Sequence, residues 1–157
     1  MDHFIKLILL RHTKSDWTDP SLPDRERPLN ERGRSAAAKM GEWLRSRGHL
    51  PDLVLCSDAR RTRETLEGLG LPETQTEYRP DLYLADAETI LSLARAQTVG
   101  CVLIVGHNPG IGAAAEMACT TPPVAPEFTR YPTGACTVVE IDGEPGRWLD
   151  FATPRDP

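Results

Sequence analysis

Long apolar runs are missing from this 157-residue sequence. No segment approaches the roughly 20 consecutive apolar residues that a membrane-spanning helix needs. The N-terminal apolar run, residues 5–10, is too short for a secretory signal peptide and is interrupted by Lys6. The sequence therefore predicts a cytoplasmic protein without a membrane partner.

An excess of basic residues is missing as well. Lys and Arg number 18 against 23 Asp and Glu residues, which gives a formal net charge of -5. Proteins that bind nucleic acids more often carry a basic excess, so we expect no nucleic-acid partner. A local cluster of arginines can still bind an anionic substrate, because a local potential can outweigh the global sign.

Paired cysteine motifs are also missing. The four cysteines include no C-x-x-C pair, and none has a histidine at zinc-finger spacing. They predict buried free thiols in a reducing compartment. Residues 106–110 are rich in glycine but lack the Gly-Lys-Ser/Thr ending of a P-loop, which excludes that type of nucleotide site.

What the sequence does contain is an alternation of buried strands and helices. Strands are predicted at residues 4–10, 53–56, 76–79 and 101–105, with a terminal hairpin of residues 136–141 and 147–151 around a turn at 142–146. Helices are predicted from the N-cap Asn30 to Gly48 and over residues 58–68, 86–96 and 110–119. Residues 13–30 and 121–132 predict loops.

Strands that alternate with helices indicate a mostly parallel sheet with helices on both faces. A length of 157 residues suits one domain with one core. We therefore predict a single α/β domain over residues 1–157, a three-layer α/β/α sandwich.

Three of the predicted strands run directly into polar, chemically active residues. The first ends in Arg11-His12, the second leads to Arg61, and the third leads to His107-Asn108. Ligands of open α/β sheets bind at the carboxyl ends of the strands. The sequence therefore brings two histidines and several arginines to one edge of one sheet.

Two histidines at one edge are compatible with a metal site, a proton relay or a nucleophile. The arginines help to choose between these roles. A guanidinium group repels a divalent cation, whereas it matches a phosphoryl group by bidentate hydrogen bonding. We therefore expect a phosphoryl group to bind, no metal, and in-line attack on phosphorus by a histidine.

The same segments resemble the motifs of a known family. Residues 10–17, Leu-Arg-His-Thr-Lys-Ser-Asp-Trp, are similar to the Arg-His signature of the histidine phosphatase superfamily, which includes the phosphoglycerate mutases. Residues 57–65 and 106–108 resemble its second and third motifs, and residues 27–33 make the chain most similar to the SixA-type phosphohistidine phosphatases. The resemblance implies a phosphoglycerate mutase-like fold and a metal-independent phosphatase without a cofactor.

The resemblance also implies roles for individual residues. His12 is the nucleophile, with its tautomer fixed by a hydrogen bond from the other ring nitrogen. Arg11 and Arg61 hold the phosphoryl oxygens, and His107 is a further donor, most effective when protonated. Three residues are expected to line the substrate pocket: Ser15, Thr18 and Asn108.

The chain departs from the family pattern at three positions. Thr13 follows the nucleophile where the superfamily usually has Gly, and its side chain is expected to narrow the approach to the backbone. Lys14 replaces an acidic residue that is common in the mutases. Residues 80–82 match the stretch that carries the proton donor, and the candidate there is Asp81 rather than a Glu, so its reach is shorter. A weak donor favours a phosphohistidine substrate, whose imidazole leaves with less need of a proton.

The functional prediction is a phosphatase with a phosphohistidine intermediate, acting on a phosphorylated protein. One alternative is a phosphatase of small phosphomonoesters, and another is a catalytically silent phosphate-binding adaptor. A mutase is less favoured, because no long insertion covers the site to keep water out. Trp17 is expected to pack against the fold, and the oligomeric state is not predicted.

Overall fold

The computed structural model describes residues 4–141 and 146–157. Its six strands form one sheet in the order β3-β2-β4-β1-β5-β6. The strands are β1 (Ile5–Arg11), β2 (Leu53–Ser57), β3 (Gln75–Arg79), β4 (Cys101–Gly106), β5 (Cys136–Ile141) and β6 (Arg147–Ala152). The first four are parallel, and β5 and β6 add an antiparallel edge, so the sheet is mostly parallel as predicted.

Helices cover both faces of the sheet. They are α1 (Glu31–Ser46), α2 (Arg60–Leu69), α3 (Ala87–Arg95), α4 (Gly110–Ala118) and α5 (Pro126–Arg130). Successive side chains of a strand point to opposite faces, and in β1 Leu7 and Leu9 join the core under α3 and α4, whereas Ile8 and Leu10 join the core under α1. The three-layer α/β/α prediction is confirmed.

Helix α1 is fixed at its start against the loop that follows β1. The Asn30 side chain accepts a hydrogen bond from the Gly33 amide at 2.8 Å, which confirms the predicted N-cap. The Asn30 amide donates to the Lys14 carbonyl at 3.0 Å. A Cβ on Gly33 would overlap with that same carbonyl oxygen, so only glycine allows this close approach.

Two predicted loops contain short helices. A 3-10 helix, Asp24–Glu26, interrupts the loop of residues 13–30, and α5 begins at Pro126 inside the loop of residues 121–132. Both have only three to five residues, too few for a helical period to show in the sequence. The predicted turn at 142–146 lies largely outside the described residues.

All four cysteines are buried free thiols, as predicted. Within residues 4–141 and 146–157, no helix has the length and apolar character needed to cross a membrane.

Candidate active site

The carboxyl ends of β1, β2 and β4 bring the two predicted histidines together. The ring centroids of His12 and His107 lie 5.4 Å apart. Both side chains are buried and line a cavity of about 220 Å³. The cavity is lined by Arg11, His12, Lys14, Ser15, Trp17, Arg27, Arg61, Leu84, His107, Asn108 and Thr133. This set contains four cationic side chains and no carboxylate, which suits an anion.

His12 has its tautomer set by the backbone. Its Nδ1 lies 2.7 Å from the Thr13 carbonyl oxygen, which can only accept, so Nδ1 carries the proton. Burial, followed by the charges of Arg61, Arg11 and Arg27, lowers the pKa of His12 to about 4 despite that hydrogen bond. The ring is therefore neutral near pH 7, and its Nε2 holds a free lone pair.

The side chain of Thr13, which is expected from the sequence to narrow the approach to the backbone, does not line the cavity. Thr13 is fully buried, and its hydroxyl lies 3.2 Å from the Thr65 hydroxyl on α2. Its amide donates to the same Thr65 oxygen at 3.1 Å, and Thr65 in turn donates to the Arg61 carbonyl at 2.7 Å. Thr65 thus ties the backbone beside the nucleophile to the helix that carries Arg61.

The two predicted phosphate-binding arginines are buried to different degrees. Arg61 is 3% exposed, whereas Arg11 is half-buried and donates from Nη1 to the Tyr131 carbonyl at 3.0 Å. Burial and the neighbouring charge of Arg61 lower the pKa of Arg11. The Nε atoms of both guanidinium groups are buried and donate to no group in the described part of the chain.

The His107 ring is neutral near pH 7. Burial, then the charges of His12 and Arg61, lower its pKa to about 3. Its Nε2 lies 2.8 Å from the Ser57 hydroxyl, for which the described residues offer no other acceptor. Ser57 therefore donates to Nε2, and the ring keeps its proton on Nδ1, which is buried and unpartnered among those residues.

Tyr131 is a site residue that sequence reasoning missed. Its backbone has φ +48°, in the left-handed region that non-glycine residues seldom adopt. The carbonyl accepts hydrogen bonds from Arg11 and from Asn108 Nδ2, the latter at 2.9 Å. The buried hydroxyl donates to the Leu9 carbonyl at 2.7 Å, so Tyr131 joins the centre of the sheet to both cavity residues.

Asp24 was missed as well, and it contacts the arginines directly. Its carboxylate accepts from Arg61 Nη2 at 2.9 Å and from Arg27 Nε at 3.1 Å, and it also accepts from the Tyr83 hydroxyl. Burial opposes ionisation, but the hydrogen bonds from Tyr83 and Arg61 outweigh it and hold the pKa of Asp24 well below its usual range. No spacing marks this residue, because its contact with Arg61 spans 37 residues.

The structure does not bring Asp81, the candidate proton donor, to the cavity. Asp81 forms an ion pair with Arg79 at 2.9 Å, and its side chain is 48% exposed. The hydrogen bonds from Arg79 lower the pKa of Asp81, which holds it as a carboxylate. It lines a separate depression with Arg79 and its neighbours. A short motif matched Asp81 to the donor position, whereas the fold directs its side chain to Arg79.

Two of the three predicted pocket residues line the cavity, and one does not. Ser15 is buried in the cavity wall and accepts a hydrogen bond from Arg27 Nη1 at 2.6 Å. Asn108 also lines the cavity, with its amide on the Tyr131 carbonyl. Thr18 is exposed and does not line the cavity, because its backbone amide turns back to Asp16 at 2.7 Å.

Trp17 does not pack into the core as expected. It is 74% exposed at the edge of the cavity, and the Arg27 guanidinium lies 3.5 Å from the centroid of its ring. Arg27 itself is buried, so the indole covers one face of a cation that belongs to the site.

The donor set does not fit a metal ion. Within the described ranges, 4–141 and 146–157, no three His, Cys, Asp or Glu side chains are grouped so that they could hold one. The side chains around the histidines include three guanidinium groups and one ammonium group, which repel a divalent cation.

Sequence relatives place the chain in a family. The family model of the histidine phosphatase superfamily (branch 1) matches residues 7–88, a range that includes His12 and Arg61. An uncharacterized chloroplastic protein of Arabidopsis thaliana is 39% identical over 126 residues, or 71% of this chain. The chain spans 58% of the length of that relative.

Solved structures agree with this placement. A structure from Nakamurella multipartitia, described as a candidate phosphohistidine phosphatase SixA, has a TM-score of 0.82 and 30% identity, covering 96% of both chains. The protein histidine phosphatase SixA complexed with tungstate has a TM-score of 0.79 and 25% identity, covering 96% of this chain and 98% of that one. The chain belongs to the histidine phosphatase superfamily, and its structural neighbours include SixA-type phosphatases.

Proposed function

We propose that this protein is a protein phosphohistidine phosphatase that works through a phospho-His12 intermediate without a metal. One observation carries the proposal. Three buried donors that find no partner in the described residues, Arg11 Nε, Arg61 Nε and His107 Nδ1, belong to the cavity that holds the unprotonated Nε2 of His12. Buried donors without acceptors are costly, and the oxygens of a phosphoryl group would satisfy them.

The first half-reaction transfers the phosphoryl group to the enzyme. The lone pair on His12 Nε2 attacks phosphorus, a new N–P bond forms, and the bond from phosphorus to the substrate nitrogen breaks with its electron pair leaving on that nitrogen. Arg11 and Arg61 hold the equatorial oxygens as charge shifts among them. Nδ1 keeps its proton and continues to donate a hydrogen bond to the Thr13 carbonyl, so the imidazole keeps its orientation throughout.

The second half-reaction restores the enzyme. A water molecule attacks phosphorus, the bond to His12 Nε2 breaks, and inorganic phosphate leaves with the proton balance completed by solvent. The small, open cavity gives water a route to the intermediate, which supports hydrolysis over a mutase reaction.

The described residues place no protonated acid at the cavity, which supports a phosphohistidine substrate. Asp24 is the carboxylate hydrogen-bonded to the cavity arginines, and it is held ionised, so it is a poor proton donor. An alkoxide leaving group needs a proton in the transition state, whereas the imidazole of a phosphohistidine has much less need of one. The likeness to SixA-type structures supports the same substrate class.

The test compares two substrates. Wild-type protein and His12→Ala are incubated with an aryl phosphate and with a protein phosphorylated on histidine, with and without a chelator. We expect turnover by the wild type in both conditions, and a label on His12 that is labile in acid and stable in alkali.

Each alternative gives a different result. Undiminished turnover by His12→Ala would refute the mechanism, and loss of activity with the chelator would refute metal independence. Turnover of the aryl phosphate alone would favour a small-molecule phosphatase. Phosphate binding without any turnover would favour a silent adaptor.

A further inference from the structure

A second cavity, of about 760 Å³, lies next to the phosphoryl cavity. Lys14 and Thr133 line both. One wall is the exposed face of α1, and the other is formed by α5 together with residues 153–155. We call this cavity the basic groove.

The groove takes its name from five cationic side chains. They are Lys14, Arg32, Lys39, Arg130 and Arg155, all of them exposed. In the part of the chain that the structure describes, none of them forms an ion pair. Unpaired cations concentrated on one surface attract anions, and here they do so on a chain whose net charge is -5.

Two carboxylates, Glu31 and Glu127, also line the groove, so the cations exceed them by three. Glu127 already accepts a hydrogen bond from the Thr153 hydroxyl at 2.9 Å. Glu31 lies in the first turn of α1, where the helix dipole stabilises a negative charge. The groove therefore remains cationic.

The face of α1 is shaped to admit a ligand between its charges. Arg32 and Lys39 are seven residues apart, and Ser35 and Ala36 lie between them at the spacing of one helix face. The two small side chains leave room between the two long cationic ones. A volume of about 760 Å³ is within the range of pockets that bind drug-sized ligands, so it admits a few side chains.

We propose that the basic groove binds an acidic segment of the phosphorylated protein, adjacent to the phosphorylated residue. This rests on the proposed function, because only a protein substrate has a polypeptide chain that extends out of the cavity from the phosphorylated residue. Since Lys14 and Thr133 line both cavities, a chain whose phosphoryl group is beside His12 has the groove next to it. Acidic side chains there would meet Lys39 and Arg130 and gain in both association rate and specificity.

The experiment uses two synthetic peptides of equal length, each with a central phosphohistidine. One has Asp and Glu on both flanks, and the other has Ser and Gln. Affinity is measured by fluorescence anisotropy with labelled peptides on His12→Ala, and kcat/KM is measured on the wild type. We expect the acidic peptide to bind about tenfold more tightly, and raising the salt from 0.05 to 0.5 M to weaken its binding more than that of the Ser and Gln peptide.

Charge reversals locate the effect. Lys39→Glu and Arg130→Glu should each reduce the acidic preference at least threefold, while kcat/KM for an aryl phosphate stays within about twofold of wild type. The control is Arg95→Glu, which makes the same charge change on an exposed side chain at the end of α3. That helix end precedes β4 and so lies near the amino ends of the strands, whereas the site lies at their carboxyl ends.

The two proposals fail in different ways. Equal affinity for both peptides would overturn the proposal that the groove binds an acidic segment. An acidic preference that survives both charge reversals would overturn it as well. Selective binding of the acidic peptide without turnover of either one would support the groove and overturn the proposed function instead.

Discussion

Asp24 is joined by two hydrogen bonds to Arg61, which lines the cavity. Arg61 Nη2 donates to the Asp24 carboxylate at 2.9 Å, and Nη1 donates to the Asp24 carbonyl at 2.8 Å. Both terminal nitrogens of the guanidinium group are therefore held by one residue, while Nε is left unpartnered within the described residues. Asp24 fixes the orientation of Arg61 and at the same time offsets part of its charge.

Removing that negative charge should tighten anion binding. We expect Asp24→Asn to lower the inhibition constant of inorganic phosphate about threefold to tenfold, because one partly screened charge beside the anion is lost. Product inhibition of aryl phosphate hydrolysis measures this constant. Glu26→Gln is the control, since Glu26 is an exposed carboxylate in the same 3-10 helix. An unchanged constant in Asp24→Asn would mean that Asp24 does not act on the anion through Arg61.

The protonation of His12 can be observed directly. Burial and nearby guanidinium groups lower the pKa of His12 to about 4, so the ring should stay neutral as the pH falls from 7 to 5 and gain its proton only near pH 4. Side-chain NMR of labelled histidine measures the midpoint. In Arg61→Ala the midpoint should rise from about 4 toward the ordinary histidine value of 6.5 without reaching it, because burial, the larger cause of the lowered pKa, remains. A wild-type midpoint near 6.5 would contradict this account.

Thr65 should act on His12 through Thr13. Thr65→Val leaves the buried Thr13 amide without its acceptor, and we expect the free energy of unfolding to fall by about 1–3 kcal/mol. kcat/KM should fall as well, because the Thr13 carbonyl that holds Nδ1 loses its support. Thr65→Ser keeps the hydroxyl and should restore activity. If Thr65→Val stayed as active and as stable as Thr65→Ser, the hydrogen bond would have no such role.

Gly33 should tolerate no side chain. We expect Gly33→Ala to destabilise the fold by about 1–3 kcal/mol and to lower activity, because the new Cβ overlaps with the Lys14 carbonyl and displaces the loop after β1. Thermal unfolding and aryl phosphate turnover measure the two effects. Gly100→Ala is the control, since a Cβ there makes an ordinary contact of 3.4 Å. Equal melting temperatures for the two variants would refute the close-packing explanation.

Features carried by local patterns were predictable from the sequence. The apolar runs of β1, β2 and β4 fixed the parallel centre of the sheet, and their carboxyl ends located His12 and His107. The sequence predicts Asn30 as an N-cap because capping depends on a neighbour three residues away.

Features set by distant contacts were not predictable. Asp24 reaches Arg61 across 37 residues, and the Tyr131 carbonyl reaches Arg11 across 120, so no spacing in the sequence reports either contact. Asp81 shows the converse, because a local motif pointed to it and the neighbouring Arg79 holds its side chain instead. The protonation state of His107 depends on burial, which the motif does not contain.

The central position of β1 has a consequence for synthesis of the chain. This strand carries the nucleophile at its end, yet its neighbours in the sheet are β4 and β5, which are translated roughly 90 and 130 residues later. A ribosome-bound chain that has exposed only its first hundred residues holds His12 without His107 or the Tyr131 carbonyl. Reactivity toward phosphoryl donors should therefore arise late, once nearly the whole chain has emerged, and unfinished chains should not acquire a phosphoryl group.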